Sequence, residues 1–212
     1  MRITILTDNP KSWFVPYGNE LLERLKASGH VAEYVYNAKD IQKSDVCFIL
    51  SCTKLVNETT LALSDNNIVV HASDLPQGKG FSPLQWQILE GKNQIPLTLF
   101  EVVKDVDAGP YYLKDTVVFD GSELHGKLRE KLAQKIIEMC LQFVEQRTSL
   151  LPVQQNGIET FYKRRTEKND ELDANKTIAE LFNQFRIADN ENSPVYFYMN
   201  GHKYFLKIYP AI

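Results

Sequence analysis

Ile68-Val69-Val70-His71 is a short, unbroken apolar run, β-branched at its first three positions, that ends on an imidazole. A run of this length reads as a buried strand. Three similar runs precede it: residues 2–7 (Arg2-Ile3-Thr4-Ile5-Leu6-Thr7), residues 31–36, and Val46-Cys47-Phe48-Ile49-Leu50. Between the first two, Leu21, Leu22 and Leu25 belong to a short helix that reaches Ala27 and stops at Ser28-Gly29. Residues 8–17, with Asn9-Pro10 and Pro16, read as a loop. Strands separated by helical stretches predict βαβ units, hence an α/β, Rossmann-like fold with a mainly parallel sheet. Open sheets of this type bind ligands beyond the carboxyl ends of their strands. Asp8, Ser51 and His71 stand at such ends.

Downstream of His71, residues 73–83 form a Gly/Pro-rich loop, followed by a helix over Leu84–Glu90 that Gly91 stops. Pro96–Val103 and Pro110–Val118 read as strands joined by Lys104-Asp105-Val106-Asp107-Ala108-Gly109. Leu124, Leu128, Leu132, Ile136, Met139 and Phe143 recur at helical spacing, which predicts a long amphipathic helix over 123–146. The composition changes after Pro152, dividing the chain into residues 1–152 and a small appendage, 153–212. That appendage holds a polar loop, a helix from Ile178 to Arg186, and two aromatic runs flanking Asn200-Gly201. Asn-Gly accepts positive φ at both turn positions and signals a hairpin.

A chain of 212 residues, 43% hydrophobic, is long and apolar enough to bury a core. Its net charge of −3 lacks the basic excess of a general nucleic-acid binder, so no nucleic-acid partner is expected. Cys47, Cys52 and Cys140 are odd in number and lack metal-ligand spacing, which argues against a disulfide framework or a zinc site. Asp8 interrupts the N-terminal apolar run too early for a signal peptide. No stretch approaches the ~20 apolar residues of a membrane span. These features predict a soluble, cytoplasmic protein without a bound metal.

Of the four histidines, His30, His125 and His202 fall at element ends or on a polar face. His71 instead terminates an apolar strand and opens a Gly/Pro-rich loop, a scaffolded position of the kind catalytic groups occupy. Asp107 lies in the turn between two apolar strands, where it serves either an Asx-turn or the chemistry. A carboxylate beside an imidazole orients a general base that titrates near neutrality.

The run His71-Ala72-Ser73-Asp74-Leu75-Pro76, then Gly80-Phe81-Ser82-Pro83, Ile88-x-Glu90-Gly91, Thr98 and Asp107-Ala108-Gly109, resembles the formyltransferases that use N10-formyltetrahydrofolate. The likeness continues through Tyr162-Lys163-Arg164-Arg165-Thr166, Glu171-Leu172-Asp173, Ile178, Arg186 and the final hairpin. These are similar to the small C-terminal module of methionyl-tRNA and nucleotide-sugar formyltransferases. The resemblance implies acyl transfer from the folate to an amine, with His71 and Asp107 catalytic. It also implies a folate pocket built from Ser51, Thr53, Lys54 and Leu55 on one side and Val103, Lys104 and Asp105 on the other. The family's Asn, two residues before its His, is replaced here by Val69. Losing one such oxyanion donor costs about 3 kcal/mol of barrier. Thr98, Asn66 and Asn67 are the candidate substitutes.

Three acceptor classes are compared. The Gly-rich phosphate turn of glycinamide ribonucleotide formyltransferases has no counterpart in Asp8-Asn9-Pro10-Lys11-Ser12-Trp13. The electrostatic surface for tRNA expected of methionyl-tRNA formyltransferases is not evident in a slightly acidic chain. A nucleotide-linked amino sugar remains, expected to be a UDP-linked 4-amino-4,6-dideoxy sugar of surface-glycan biosynthesis, with a nonulosonic-acid (pseudaminic acid) pathway as the specific expectation. Trp13, in an aromatic loop, would stack on base or sugar or else pack on the core. Lys79 and Arg164 would meet the diphosphate or remain surface charges, and Ser73 completes the substrate-contacting set. The alternatives are the other two acceptors, or a catalytically silent module that binds folate or nucleotide sugar. Oligomeric state is open.

Overall fold

The computed structural model describes residues 1–211. Its centre is a six-stranded sheet of β1 (Arg2–Leu6), β2 (Val31–Val35), β3 (Ser44–Ile49), β4 (Ser64–His71), β6 (Gln94–Glu101) and β7 (Tyr111–Val118), in the order β2-β1-β3-β4-β6-β7. The first three pairings are parallel; β4–β6 and β6–β7 are antiparallel. This is the mainly parallel α/β sheet that the sequence predicts.

Helices α1 (Val15–Ala27) and α4 (His125–Gln146) cover one face. Their buried Leu21, Leu25, Leu128, Ala133, Ile137, Met139, Cys140 and Phe143 pack against Ile3, Ile5, Val46, Phe48, Ile68, Leu97 and Leu99. The opposite face carries a smaller cluster around Leu6, Cys47 and Ile49, joined by Val69. The division follows the period of two along each strand: Ile68 and Val70 turn to the helices, and Val69 turns away from them.

Several boundaries differ from the sequence expectation. α1 begins inside the expected loop, because Pro16 sits in the first helical turn, where no N–H is needed and its fixed φ suits the helix. β4 has eight residues rather than four. Its polar first half escapes hydropathy because its side chains are bonded sideways: Ser64 to Ser44 (2.8 Å), Asn66 to Glu101 (2.9 Å) and Asn67 to the Leu61 carbonyl (2.9 Å). The expected 73–83 loop contains β5 (Lys79–Gly80), and α3 (Pro83–Leu89) follows. β5 pairs in parallel with β8 (Phe161–Tyr162), a contact across some eighty residues that no local pattern signals. The short helix α2 (Glu58–Leu61) precedes β4.

The C-terminal part folds back onto this body. Its helix α5 (Ile178–Ile187) and the hairpin β9 (Val195–Met199)/β10 (His202–Leu206) share a cluster of Leu172, Leu181, Phe185, Ala188 and Val195. Asn200 and Gly201 both take positive φ, as the hairpin signal requires. Arg186 is fully buried; it donates to Asn93 Oδ1 (2.9 Å) and the Glu123 carbonyl (3.3 Å). Ile187 enters the main core. The three cysteines are free, and among the described residues no helix is long and apolar enough to cross a membrane.

His125, expected at an exposed position, is half-buried at the start of α4, and burial, reinforced by Arg129, pulls it down to about 4. Its folded value lies below the ordinary 6.5, so the fold favours the neutral ring. The unfolded chain then takes up the proton first as pH falls, and the stability carried by the neutral form is lost between about 6.5 and 4. Urea unfolding of wild type and His125→Gln at pH 7.5 and 5 checks this. The wild type is expected to lose on the order of 1–2 kcal/mol more than the variant on acidification.

Candidate active site

At the carboxyl ends of β3 and β4 the sheet opens into a cleft of about 610 Å³, within the range of small-molecule sites. One wall is Ser51–Val56, the segment leaving β3. A second is Val102–Asp107, from the β6–β7 connection. Val69, Val70 and His71 of β4, Gly80–Gln85, Trp13, and Arg129, Leu132 and Ile136 of α4 complete it.

The Ser51–Val56 wall is held from below. Asp8 Oδ2 accepts from Thr53 N (2.8 Å), Thr53 Oγ1 (3.1 Å) and Lys54 N (2.7 Å). The sequence places Asp8 at a strand end but gives no sign of this bracing role, which needs a partner more than forty residues away. Cys52 also faces the cleft, but burial pushes its thiol up to about 12, so it is protonated and not a nucleophile at neutral pH.

His71 and Asp107 meet at the junction of β4, β5 and the β6–β7 connection. His71 Nε2 lies 2.9 Å from the Gly78 carbonyl and 3.9 Å from Asp107 Oδ2. A carbonyl oxygen only accepts, so Nε2 carries the hydrogen and Nδ1 keeps the lone pair. Asp107 Oδ2 accepts from Gly80 N at 2.8 Å. Asp107 is therefore anchored on the loop that also orients His71, which goes beyond an Asx-turn within its own connection.

This junction is strained. Ser51, Ser82 and Asp107 take φ of 56°, 54° and 51°, and all three line the cleft. Left-handed backbone at non-glycine residues costs of order 1–3 kcal/mol each and persists only where surroundings over-determine it. Two glycines make the packing possible. A Cβ on Gly80 would lie 2.5 Å from the Tyr162 carbonyl, and one on Gly109 would lie 1.7 Å from the Glu101 carbonyl.

The C-terminal part supplies the outer supports. Gln155 Nε2 donates to the carbonyls of Asp107 (3.0 Å) and Gly109 (2.7 Å). Thr160 Oγ1 accepts from Gly78 N (2.8 Å), and β8 pairs with β5. Sequence reading missed Gln155 and Thr160, since their significance lies wholly in tertiary contact.

Ser51, Thr53, Lys54, Leu55, Val103, Lys104, Asp105, His71, Asp107 and Trp13 all line the one cleft. Ser73, Lys79 and Arg164 do not. Ser73 is buried, with its carbonyl accepting from Thr98 Oγ1 (2.7 Å). Lys79 is buried and paired with Glu159 at 2.5 Å, because β5 turns it toward the C-terminal part. Arg164 stacks over Phe81, 4.4 Å from its ring centroid. Trp13 packs on the core and also faces the cleft. The three candidate substitutes for the amide absent at Val69 stand off the cleft walls. Thr98 is consumed by Ser73 and Leu75, Asn66 by Glu101 and Arg147, and Asn67 by Leu61. Among the described residues no group of His, Cys, Asp and Glu is placed to hold a metal ion.

Residues 8–144 match the formyl transferase family profile. A methionyl-tRNA formyltransferase from Mycoplasma capricolum is 29% identical over 180 residues, covering 79% of this chain and 55% of that protein. The chain thus spans about half the length of the curated relatives it matches. Among solved structures, HypX from Aquifex aeolicus in complex with tetrahydrofolic acid superposes with a TM-score of 0.83 at 16% identity, over 98% of this chain and 37% of that one. A 4-N formyltransferase from Francisella tularensis superposes at 0.70 and 17% identity, over 98% and 96%.

Replacing Gln155 by Ala strips a shared donor from two loop carbonyls. Thermal and urea unfolding are expected to show a loss of about 1–3 kcal/mol. A change within 0.3 kcal/mol would remove Gln155 from the support of the Asp107 turn.

Proposed function

Given that the chain belongs to the formyl transferase family, we propose that it transfers a formyl group from N10-formyltetrahydrofolate to the amino group of a nucleotide-linked sugar. The observation that carries the reading is the His71–Asp107 pair at the meeting of two cleft walls, with the imidazole's Nδ1 left free to take a proton.

The cleft fits a folate in size and lining. It is about 610 Å³, it has an apolar floor of Val69, Val70 and Phe100, and it is flanked by the Ser51–Val56 and Val102–Asp107 segments. When bound, the folate supplies the formyl group. Ser51, Thr53, Lys54 and Leu55 on one wall and Val103, Lys104 and Asp105 on the other are the residues that would hold it. Nδ1 of His71 takes the proton from the acceptor amine as the new C–N bond forms. It returns that proton to the departing N10 as the old C–N bond breaks. Asp107 stabilises the transient imidazolium from 3.9 Å, and the Gly78 carbonyl keeps the ring from turning. The acceptor approaches from the Trp13 side. The cleft places no side-chain amide at Val69, so this chain either lacks an oxyanion donor of that kind or draws on main-chain N–H groups.

The sugar acceptor is supported by the fold likeness to a sugar N-formyltransferase from Shewanella sp., which superposes with a TM-score of 0.73 at 12% identity over 100% of this chain and 98% of that one. A UDP-linked 4-amino-4,6-dideoxy sugar of surface-glycan synthesis is the specific form proposed. Methionyl-tRNA is the second reading, favoured by the identity to the Mycoplasma enzyme. Release of tetrahydrofolate is the discriminating assay, with N10-formyltetrahydrofolate and UDP- and dTDP-amino sugars, charged initiator tRNA or glycinamide ribonucleotide. Turnover with the tRNA alone would reject the sugar reading. Silence across the panel, with folate binding intact, would make the chain a binding module.

His71→Asn is expected to abolish turnover while the protein stays folded, and Asp107→Ala to cost at least about 100-fold in kcat. Near-normal rates in either variant would remove that residue from the chemistry. Val69→Asn is expected to raise kcat if no main-chain donor serves the oxyanion, by up to about 100-fold. An unchanged rate would mean that such a donor is already in place.

A further inference from the structure

The cleft has one cation that the folate walls do not account for. Lys54 and Lys104 stand exposed on those walls, whereas Arg129 belongs to α4. Its neighbours at helical spacing, Leu132 and Ile136, line the cleft too, so one face of α4 presents a guanidinium above an apolar floor.

That guanidinium is held but not satisfied. Its Cζ lies 5.3 Å from the Trp13 ring centroid, a cation–π contact that holds the group beside the indole. Its one ion pair among the described residues is Nη1 to Asp189 Oδ2 at 3.6 Å, beyond a good hydrogen bond. Asp189 is already engaged by the N–H groups of Glu191 and Asn192 and by the Asn192 amide. His125, one helical turn earlier, is neutral and adds no competing charge at physiological pH. By contrast Arg24, Arg147, Arg165 and Arg186 each donate to oxygen acceptors of the protein.

We propose that Arg129, held beside Trp13, is the subsite for an anionic group of the acceptor, a phosphoryl or carboxylate oxyanion received by the free edge of the guanidinium. The planar donor fork suits either oxyanion. The inference rests on the formyl-transfer reading, because it takes the Ser51–Val56 side for the folate and leaves the Trp13–Arg129 side for the acceptor. It makes Arg129 a specificity-determining residue, and Trp13 the platform that holds it.

Calorimetric titration of the full chain tests this with four probes: inorganic pyrophosphate, UMP, acetate, and 5-formyltetrahydrofolate for the folate side. Wild type, Arg129→Gln and Arg129→Lys are compared, with unfolding temperature as a check on folding. The expected result is anion binding that weakens at least about tenfold in Arg129→Gln and partly recovers in Arg129→Lys, while 5-formyltetrahydrofolate binds all three alike. Pyrophosphate and UMP binding without acetate identifies a phosphoryl group, and acetate binding without them a carboxylate. Equal anion affinity in wild type and Arg129→Gln would overturn the proposal, as would no anion binding by a wild type that still binds the folate. Loss of folate binding by the wild type would instead strike the formyl-transfer reading. Arg129→Lys separates the roles if Arg129→Gln fails to fold: undiminished anion affinity in a folded Arg129→Lys would show that the planar fork is not what receives the anion.

Discussion

One backbone donor, the N–H of Gly80, holds the candidate site together. It reaches the Asp107 carboxylate at 2.8 Å, while two residues earlier the Gly78 carbonyl receives the His71 ring. A single short segment therefore fixes both partners of the pair. For that segment to lie there, residue 80 must take a φ of 96° and pass so close to Tyr162 that a side chain would collide with its carbonyl. The β5–β8 pairing and the Gln155 bonds to the Asp107 and Gly109 carbonyls brace the same junction.

This dependence gives the C-terminal part its role. It contains none of the cleft-lining residues, yet Thr160, Gln155 and β8 secure the loops that hold His71 and Asp107 in place. Lys79 belongs to the same structural logic: a buried ammonium paired with Glu159 fastens β5 to the C-terminal part and leaves no free charge for a ligand. Fastening of this kind offsets the left-handed backbone at Ser51, Ser82 and Asp107.

The cleft divides chemically into two sides. Toward β3 and the β6–β7 connection it is shaped by Asp8 and flanked by exposed lysines. Toward α4 it is aromatic and apolar, with a single guanidinium. The proposed two-substrate transfer would use this asymmetry, with donor and acceptor reaching the imidazole from different directions. Val69 lies on the floor between them and sets the polarity of the point where charge would develop.

The periodicities of β1, β3 and α4, the Asn-Gly hairpin and the position of His71 at a strand end were legible in the chain, because each depends on neighbours within a few residues. The spacing from His71 to Asp107-Ala108-Gly109 was legible as well, because the motifs that carry the family resemblance keep their order along the chain. Tertiary structure alone decided which polar residues face the cleft. Ser73, Lys79 and Arg164 share the polarity of ligand-binding residues, but β5 and the surrounding loops turn them inward or onto Phe81, and Thr98, Asn66 and Asn67 spend their donors on the Ser73 carbonyl, Glu101 and the Leu61 carbonyl. Asp8, Gln155 and Arg129 meet partners 45 or more residues away, beyond the reach of any local pattern. Side-chain chemistry is written residue by residue, whereas its direction is set by contacts that exist only after the chain has closed on itself.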